Sequence, residues 1–253
     1  MSEINVKSLT IGSGLPKICI PIVANTDAEI ISLLPTLDRQ DIDLLEWRLD
    51  FMDASVSNEQ LTNIGKAIMK ALPSKPLLVT FRTKQEGGER EISADDYCNM
   101  YRCFAKEKAA DMVDLELFFL DNKEQIKSFT KELQAEGLKV IFSNHDFQKT
   151  PEKAEIVKRL TKMQELGADI AKIAVMPNSS EDVLTLLSAT NEMKEKHNDT
   201  PFVTMSMGGL GAISRVSGSI FGSAITFGAL SKASAPGQIA LDDLRNILSL
   251  FSV

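Results

Sequence analysis

A lysine inside an apolar segment could act as an amine nucleophile. Lys172 interrupts the run DIAKIAV at 169–175, and an unpaired ammonium is costly in a protein core. Desolvation and neighbouring arginines would favour the neutral amine, which can attack a carbonyl. The alternative is a structural lysine that reaches solvent or pairs with Glu116. Its position alone leaves both interpretations open.

A histidine at the end of another apolar run is a candidate general acid and base. His145 follows LKVIFSN at 138–144, where an imidazole could reach a bound substrate. Glu86, in the segment TKQEGGE, could orient this histidine and stabilise its imidazolium. The alternatives are a hydrogen-bonded structural histidine and a solvated loop carboxylate. The second histidine, His197, stands in the polar run KEKHND and is expected at a solvated helix end.

Three arginines could form an anion clamp. Arg48 shares strand parity with Glu46. Arg82 ends an apolar run, and Arg215 follows a later one. Guanidinium groups bind carboxylates in bidentate geometry, but three converging guanidinium groups would repel one another without an anion or a carboxylate such as Glu46 between them. Each arginine alone is more often part of a surface ion pair.

Two methionines and three glycines near 207 are weaker signals. Met205 and Met207 share parity on a strand-like run and are expected to line a pocket or fill the core. Gly208, Gly209 and Gly211 resemble a phosphate-binding turn, but they lack a full fingerprint. A phosphate role for this turn is therefore a minor alternative.

Composition narrows the class of protein. The chain has 253 residues, 43% of them hydrophobic, and 28 Lys+Arg against 35 Asp+Glu give a net charge of -7. An acidic balance disfavours nucleic acid and anionic membranes as partners. The three cysteines, Cys19, Cys98 and Cys103, form no paired framework, and no long apolar stretch occurs. We expect a cytoplasmic protein that does not bind a membrane.

The elements that must position these residues alternate along the chain. Eight short apolar runs are separated by amphipathic helical stretches, as in parallel strands joined by helical crossovers. They lie at 17–24, 43–50, 76–82, 112–117, 138–144, 169–175, 201–207 and 219–227. This pattern predicts one (β/α)8 TIM barrel over residues 1–253, preceded by a β-hairpin near 4–11; a doubly wound sheet is the alternative. In a barrel, active sites lie at the carboxyl ends of the strands.

Helix starts are marked by capping residues. Ser93, with Asp96 in the capping-box position, predicts one helix. Thr150, followed by Pro151, predicts another.

Six segments together carry a family resemblance. They are EWRLD at 46–50, TFRTKQEGGE at 80–89, SNHDF at 143–147, AKIAVMP at 171–177, SMGGLGAISRVSG at 206–218 and APGQ at 235–238. The chain resembles the type I 3-dehydroquinate dehydratases of the shikimate pathway over essentially its whole length. The resemblance implies a homodimeric barrel without metal or organic cofactor that converts 3-dehydroquinate to 3-dehydroshikimate and water in aromatic amino acid biosynthesis.

The resemblance also implies roles for individual residues. Lys172 corresponds to the Schiff-base lysine, His145 to the acid/base histidine and Glu86 to the carboxylate that orients it. The substrate-binding positions correspond to Glu46, Arg48, Arg82, Met205, Met207, Arg215, Ser234 and Gln238. Some relatives have a serine where this chain has Pro21, so one hydroxyl contact to the substrate is expected to be missing.

Two alternatives to this activity stay open at the level of sequence. A Schiff-base aldolase acting on a sugar phosphate would also use Lys172 and the glycines after the seventh strand. A barrel retained as a non-catalytic binding subunit would not need Lys172, His145 and Glu86 together. The segment 229–238, with small residues and a Pro-Gly pair, is expected to act as a lid that excludes water.

Overall fold

A computed structural model describes residues 2–120, 122–230 and 234–251. The chain opens with an antiparallel hairpin of β1 (Ile4–Val6) and β2 (Leu9–Ile11), in which Ile4 pairs with Ile11. The predicted N-terminal hairpin is therefore confirmed.

Eight parallel strands follow, each from one of the predicted apolar runs. They are β3 (Lys17–Ile22), β4 (Leu44–Arg48), β5 (Leu77–Thr80), β6 (Met112–Glu116), β7 (Lys139–Asp146), β8 (Ile170–Val175), β9 (Phe202–Ser206) and β10 (Ile225–Ala229). At one edge β10 pairs with β3, and at the other the N–H of Ala224 donates to the carbonyl of Phe202 at 2.8 Å. The sheet thus curls into the predicted barrel.

Helices follow the barrel strands along the chain and cover the outside of the barrel. They are α1 (Asp27–Asp38), α2 (Asn58–Ala71), α3 (Ala94–Lys106), α4 (Lys123–Ala135), α5 (Lys153–Glu165), α6 (Ser180–Lys196), α7 (Ala212–Val216), α8 (Gly218–Phe221) and α9 (Leu241–Ser249). Ser93 caps α3, because its hydroxyl accepts from the N–H of Asp96. Helix α5 begins after Pro151, while the Thr150 hydroxyl donates to the carbonyl of Met176.

The prediction for the last barrel strand is wrong in its first half. Residues 219–221 belong to α8, which ends at Gly222 with φ of +104°. A left-handed residue ends a helix and redirects the chain, so the strand begins only at Ile225. A further two-residue strand, β11 (Ile239–Ala240), pairs with β10 and was not predicted.

Side chains inside the barrel form layers contributed by alternate strands, as this fold requires. The lowest layer consists of Leu44, Met112, Ile170 and Ile225, and the next of Cys19, Leu78, Ile141 and Val203. Val6 and Ile11 of the hairpin join the same apolar cluster. The amino-terminal half of the barrel is therefore a dry plug, and polar side chains begin only above it.

No helix within residues 2–120, 122–230 and 234–251 has the length and apolar character needed to cross a membrane.

The apolar plug predicts a difference between two isoleucines. Ile170 is 0% exposed, whereas Ile31 on α1 is 56% exposed. Ile170→Ala should destabilise the protein by about 2–5 kcal/mol, because it leaves a cavity in a packed layer. Ile31→Ala should change stability by less than about 0.5 kcal/mol. Guanidinium unfolding of both variants measures this, and equal midpoints would contradict the assignment of Ile170 to the plug.

Candidate active site

Ten of the eleven predicted site residues line one cavity at the carboxyl ends of the barrel strands, with about 460 Å³ of space unfilled by atoms. They are Glu46, Arg48, Arg82, Glu86, His145, Lys172, Met205, Met207, Ser234 and Gln238. Arg215 is the predicted residue that does not line it. Gly87, Phe147, Ala174, Phe227 and Ala235 complete the wall.

Lys172 is buried in the first polar layer above the apolar plug. Its Nζ lies 3.1 Å from Asp114 Oδ2 and 3.7 Å from Glu46 Oε1. The same Nζ lies 4.6 Å from the ring centroid of Phe227. Strands β4, β6, β8 and β10 alternate around the barrel, so these four side chains form one layer. A cation facing two carboxylates and an aromatic ring is well compensated for its burial.

The expectation that Glu116 would pair with Lys172 is wrong. Glu116 lies two residues beyond Asp114 on β6, nearer the mouth of the barrel, where its carboxylate accepts from Arg82 Nη1 at 2.8 Å. It also accepts from the N–H and the hydroxyl of Thr83, at 2.8 and 2.6 Å. Asp114 therefore takes the position opposite the lysine.

Asp114 forms ion pairs with both Lys172 and Arg82. Its Oδ1 accepts from Arg82 Nη2 at 2.9 Å and from the hydroxyl of Ser143 at 2.5 Å. Burial alone would raise the pKa of Asp114, but Arg82 and Lys172 hold it well below its usual range. Burial likewise disfavours the charged form of Arg82, and Asp114 and Glu116 more than offset this and raise its pKa. Asp114 and Arg82 are therefore ionised at neutral pH.

Two buried tyrosines of α3 fix the backbone of β6 at this point. The hydroxyl of Tyr101 accepts from the N–H of Phe81 at 2.9 Å and donates to the carbonyl of Asp114 at 2.7 Å. The hydroxyl of Tyr97 donates to the same carbonyl at 3.2 Å and accepts from the N–H of Glu116 at 3.1 Å. Side-chain hydroxyls thus satisfy backbone groups where β5 ends, and they position both carboxylates of β6.

Glu86 and His145 form a pair at the rim of the cavity. Glu86 lies in a short 3-10 helix (Lys84–Glu86) after β5, and its Oε2 lies 2.9 Å from His145 Nδ1 and accepts from the His145 N–H at 2.9 Å. Its Oε1 accepts from Asn144 Nδ2 at 3.0 Å. Because Nδ1 is engaged, Nε2 is the ring nitrogen left for a substrate.

Burial disfavours the charged form of both members of this pair. It raises the pKa of Glu86 to about 8, although Arg82 opposes the shift. Burial, together with the charges of Arg82 and Lys172, lowers the pKa of His145 well below its usual value. The imidazole is therefore neutral at physiological pH and can accept a proton.

Two sets of hydrogen bonds position the upper wall of the cavity, one made by Arg48 and one by Gln238. Arg48 binds Asp50 with two donors, at 2.8 and 2.7 Å, and its Nη1 reaches the carbonyl of Ser234 at 3.4 Å. Gln238 binds the N–H and the hydroxyl of Ser234 at 2.8 and 3.0 Å. Residues 231–233 of the expected lid lie outside the described part of the chain.

Arg215 is buried behind this wall. Its Nη2 donates to the carbonyl of Pro236 at 2.9 Å and its Nη1 to that of Phe227 at 3.4 Å. Burial lowers its pKa to about 10. Its Nε has no hydrogen-bond partner among the described residues, so the guanidinium keeps a free donor. The N–H of Gly208 donates to the same Pro236 carbonyl at 3.2 Å.

Sequence reasoning gave no role to several residues that the structure brings into the site. Asp114 shares strand parity with Glu116 on β6, and a second acidic residue in a buried strand was the available signal. Asp50 and Asn144 lay inside the family segments and had no separate signal. Phe147 packs against Gly87, where a Cβ would overlap the phenyl ring.

Within residues 2–120, 122–230 and 234–251, no group of three or more His, Cys, Asp and Glu side chains is arranged to hold a metal ion.

Comparisons with known proteins agree with one another. A family model described as type I 3-dehydroquinase matches residues 18–253. A 3-dehydroquinate dehydratase of Clostridium novyi (strain NT) is 48% identical over 250 residues, covering 99% of this chain and 98% of the relative. One of Escherichia coli (strain SE11) is 48% identical over 251 residues, with the same shares covered.

A solved structure gives the same result. A type I 3-dehydroquinate dehydratase from Clostridium difficile, with covalently modified comenic acid, superposes with a TM-score of 0.94 at 45% identity, covering 99% of this chain and 98% of that one. On the family match and on relatives of this identity and coverage, the chain belongs to the type I 3-dehydroquinase family.

Proposed function

We propose that the chain converts 3-dehydroquinate to 3-dehydroshikimate and water through a Schiff base on Lys172, with His145 as general acid and base. The family is one of hydro-lyases, and the reaction class follows from it. The observation that carries the mechanism is that a buried lysine and a neutral imidazole bound to Glu86 line the same cavity.

In the first stage the Lys172 ammonium gives up a proton, and the neutral amine that results attacks the C3 ketone. That proton and one amine proton leave with the carbonyl oxygen as water, and the nitrogen becomes a positively charged iminium. That cation takes the place of the ammonium beside Asp114 and Glu46, so these carboxylates keep a positive partner.

In the second stage the iminium acts as an electron sink and acidifies the C2 proton, which His145 removes. Glu86 stabilises the resulting imidazolium through Nδ1. Loss of the C1 hydroxyl from the enamine then takes a proton from His145 and releases water. Hydrolysis of the product imine frees Lys172 and 3-dehydroshikimate.

Substrate binding is assigned to the remaining wall residues: Glu46, Arg48, Arg82, Met205, Met207, Ser234 and Gln238. Arg82 brings positive charge to the cavity, although Asp114 and Glu116 already occupy much of its hydrogen-bonding capacity. Arg215 would bind the substrate carboxylate with its free donor, and this requires it to turn partly away from Pro236 or Phe227.

The domain organisation, oligomeric state, location and pathway of the protein are also part of the proposal. The barrel forms one catalytic domain over residues 1–253 and works as a cytoplasmic homodimer in the shikimate pathway without a cofactor. The sugar-phosphate aldolase is not retained, because the chain belongs to the dehydroquinase family and the Gly208 N–H already binds Pro236.

Borohydride trapping tests the Schiff base. Wild-type protein mixed with 3-dehydroquinate and borohydride should gain a stable adduct on Lys172 in peptide mass mapping. Lys172→Arg keeps the positive charge beside Asp114 but has no amine able to form an imine, so it should give neither adduct nor turnover. Near-normal turnover in a correctly folded Lys172→Arg variant would falsify the mechanism.

A separate outcome is expected for the histidine. His145→Ala should still form a borohydride-trapped adduct, because Lys172 is intact, while kcat falls by about 10²–10⁴-fold with loss of the general acid and base. His197→Ala, which changes the other histidine, should leave both measurements unchanged. If His145→Ala turned over at the wild-type rate, the acid/base assignment would be wrong.

The pKa of Glu86 near 8 predicts a pH dependence. The carboxylate that binds Nδ1–H forms only as pH rises through that value, so kcat/KM should increase through the same range. Glu86→Gln cannot titrate and should remove this acid limb while lowering kcat. A Glu86→Gln profile with the wild-type limb would assign the titration to another group.

A further inference from the structure

A line of hydrogen bonds reaches the Glu86–His145 pair from outside the barrel. Arg159 on α5 donates through Nη1 to Asn144 Oδ1 at 2.9 Å. Asn144 Nδ2 donates to Glu86 Oε1 at 3.0 Å, and the other oxygen of Glu86 contacts His145. Arg159 does not belong to the cavity wall, and Asn144 is the residue that connects it to the pair by hydrogen bonds.

An amide side chain can face a neighbour with either its oxygen or its nitrogen. Arg159 has only donors, so it selects the orientation in which the Asn144 oxygen faces α5. The amide nitrogen then faces Glu86. In the reversed orientation, two donors would meet at Arg159 and two oxygens at Glu86, and both contacts would be repulsive.

The charge of Arg159 is balanced on its own helix. Its Nε donates to Glu155 Oε1 at 2.8 Å, and Lys158 Nζ lies 3.7 Å from the same carboxylate. Arg159 and Lys162 both lie over the ring of Phe118, at 5.5 Å from its centroid. The ordered contact to Asn144, rather than the net charge, is therefore what distinguishes Arg159 from its neighbours.

Other charges face the pair from the barrel side. Arg82 Nη1 lies 3.7 Å from Glu86 Oε2, and Glu116 raises the pKa of Glu86. Lys172, Asp114 and Arg48 act on His145. The Asn144 donor is thus one of the few contacts that favour the ionised form of Glu86.

We propose that Arg159 is a positioning residue of the dehydration reaction: by fixing the Asn144 amide it keeps a donor on Glu86, and so keeps the proton of neutral His145 on Nδ1. The inference rests on the proposed acid/base role of His145 and adds to it a contribution from outside the cavity.

The sign of the effect follows from hydrogen bonding to a carboxylate. A donor favours the ionised form, so its loss raises the pKa of Glu86 further above about 8. In Arg159→Gln, the acid limb of kcat/KM should move to higher pH by about half to one unit, the size expected for one weakened hydrogen bond. Lys158→Gln removes a charge from the same helix, but Lys158 has 78% of its side chain exposed, and its profile should match wild type.

Histidine NMR gives a readout independent of turnover. The chain has two histidines, so ¹⁵N-histidine labelling resolves His145, with His197 as internal reference. Above about pH 8, where Glu86 is ionised in wild type, wild-type protein and Lys158→Gln should show neutral His145 protonated on Nδ1, whereas Arg159→Gln should show a larger fraction protonated on Nε2. Arg159→Lys keeps a donor near Asn144 and should lie closer to wild type than Arg159→Gln does.

Borohydride trapping separates failure of the inference from failure of the proposed function. Arg159→Gln should trap 3-dehydroquinate on Lys172 as wild type does, because the hydrogen bonds from Arg159 through Asn144 to Glu86 do not include the lysine. If wild type gives the adduct, and Arg159→Gln has an unchanged pH limb and an unchanged His145 tautomer, Arg159 has no positioning role. If wild type gives neither adduct nor turnover, the proposed function itself is wrong.

Discussion

A carboxylate held between two cations inside the barrel is the constraint around which the site is arranged. Removing an ion from water costs several kcal/mol, so Asp114, Arg82 and Lys172 would each be unstable alone at this depth. Asp114 solves this by binding the arginine and Ser143 with one oxygen and the lysine with the other. In the proposed mechanism the lysine nitrogen becomes neutral and then an iminium. Asp114 keeps Arg82 and Ser143 as partners through both changes, so its own charge never becomes uncompensated.

The barrel determines where this charge cluster can lie. Two apolar layers fill the amino-terminal half and set the register of every strand, because a shift of one residue would turn an inward side chain outward. Such a shift in β8 would replace Lys172 by Ala171 or Ile173. From outside, Tyr97 and Tyr101 bind the backbone of β6 and fix the strand that carries Asp114. Apolar packing below the charged layer and hydrogen bonds from α3 beside it therefore fix the positions of the charged side chains. These elements take no part in the chemistry themselves.

Apolar packing below the charged layer and hydrogen bonds beside it explain which features could be predicted from the sequence. The strands and the edge carrying the site were predictable, since buried strands are short apolar runs and a lysine within one is anomalous. The partner of Lys172 was not, because choosing Asp114 over Glu116 requires knowing that β6 and β8 are separated by β7 and which layer each residue joins. The direction of Arg215 depends on a segment distant in sequence. The start of the last barrel strand depends on the left-handed conformation of Gly222, which a run of apolar letters does not reveal.

The same burial that holds the cluster also suits His145 to act twice in the proposed reaction. A desolvated imidazole near Arg82 and Lys172 resists protonation, so it is free to take the C2 proton. Once it has done so, the C2 electron pair has converted the iminium to a neutral enamine, and the imidazolium lies in a poorly solvated space near Arg82, whose positive charge repels it. Glu86 stabilises the imidazolium enough for it to form, but the repulsion favours passing its proton on to the departing hydroxyl. A fully solvated histidine would hold the proton more tightly, so burial near cations favours the second transfer as well as permitting the first.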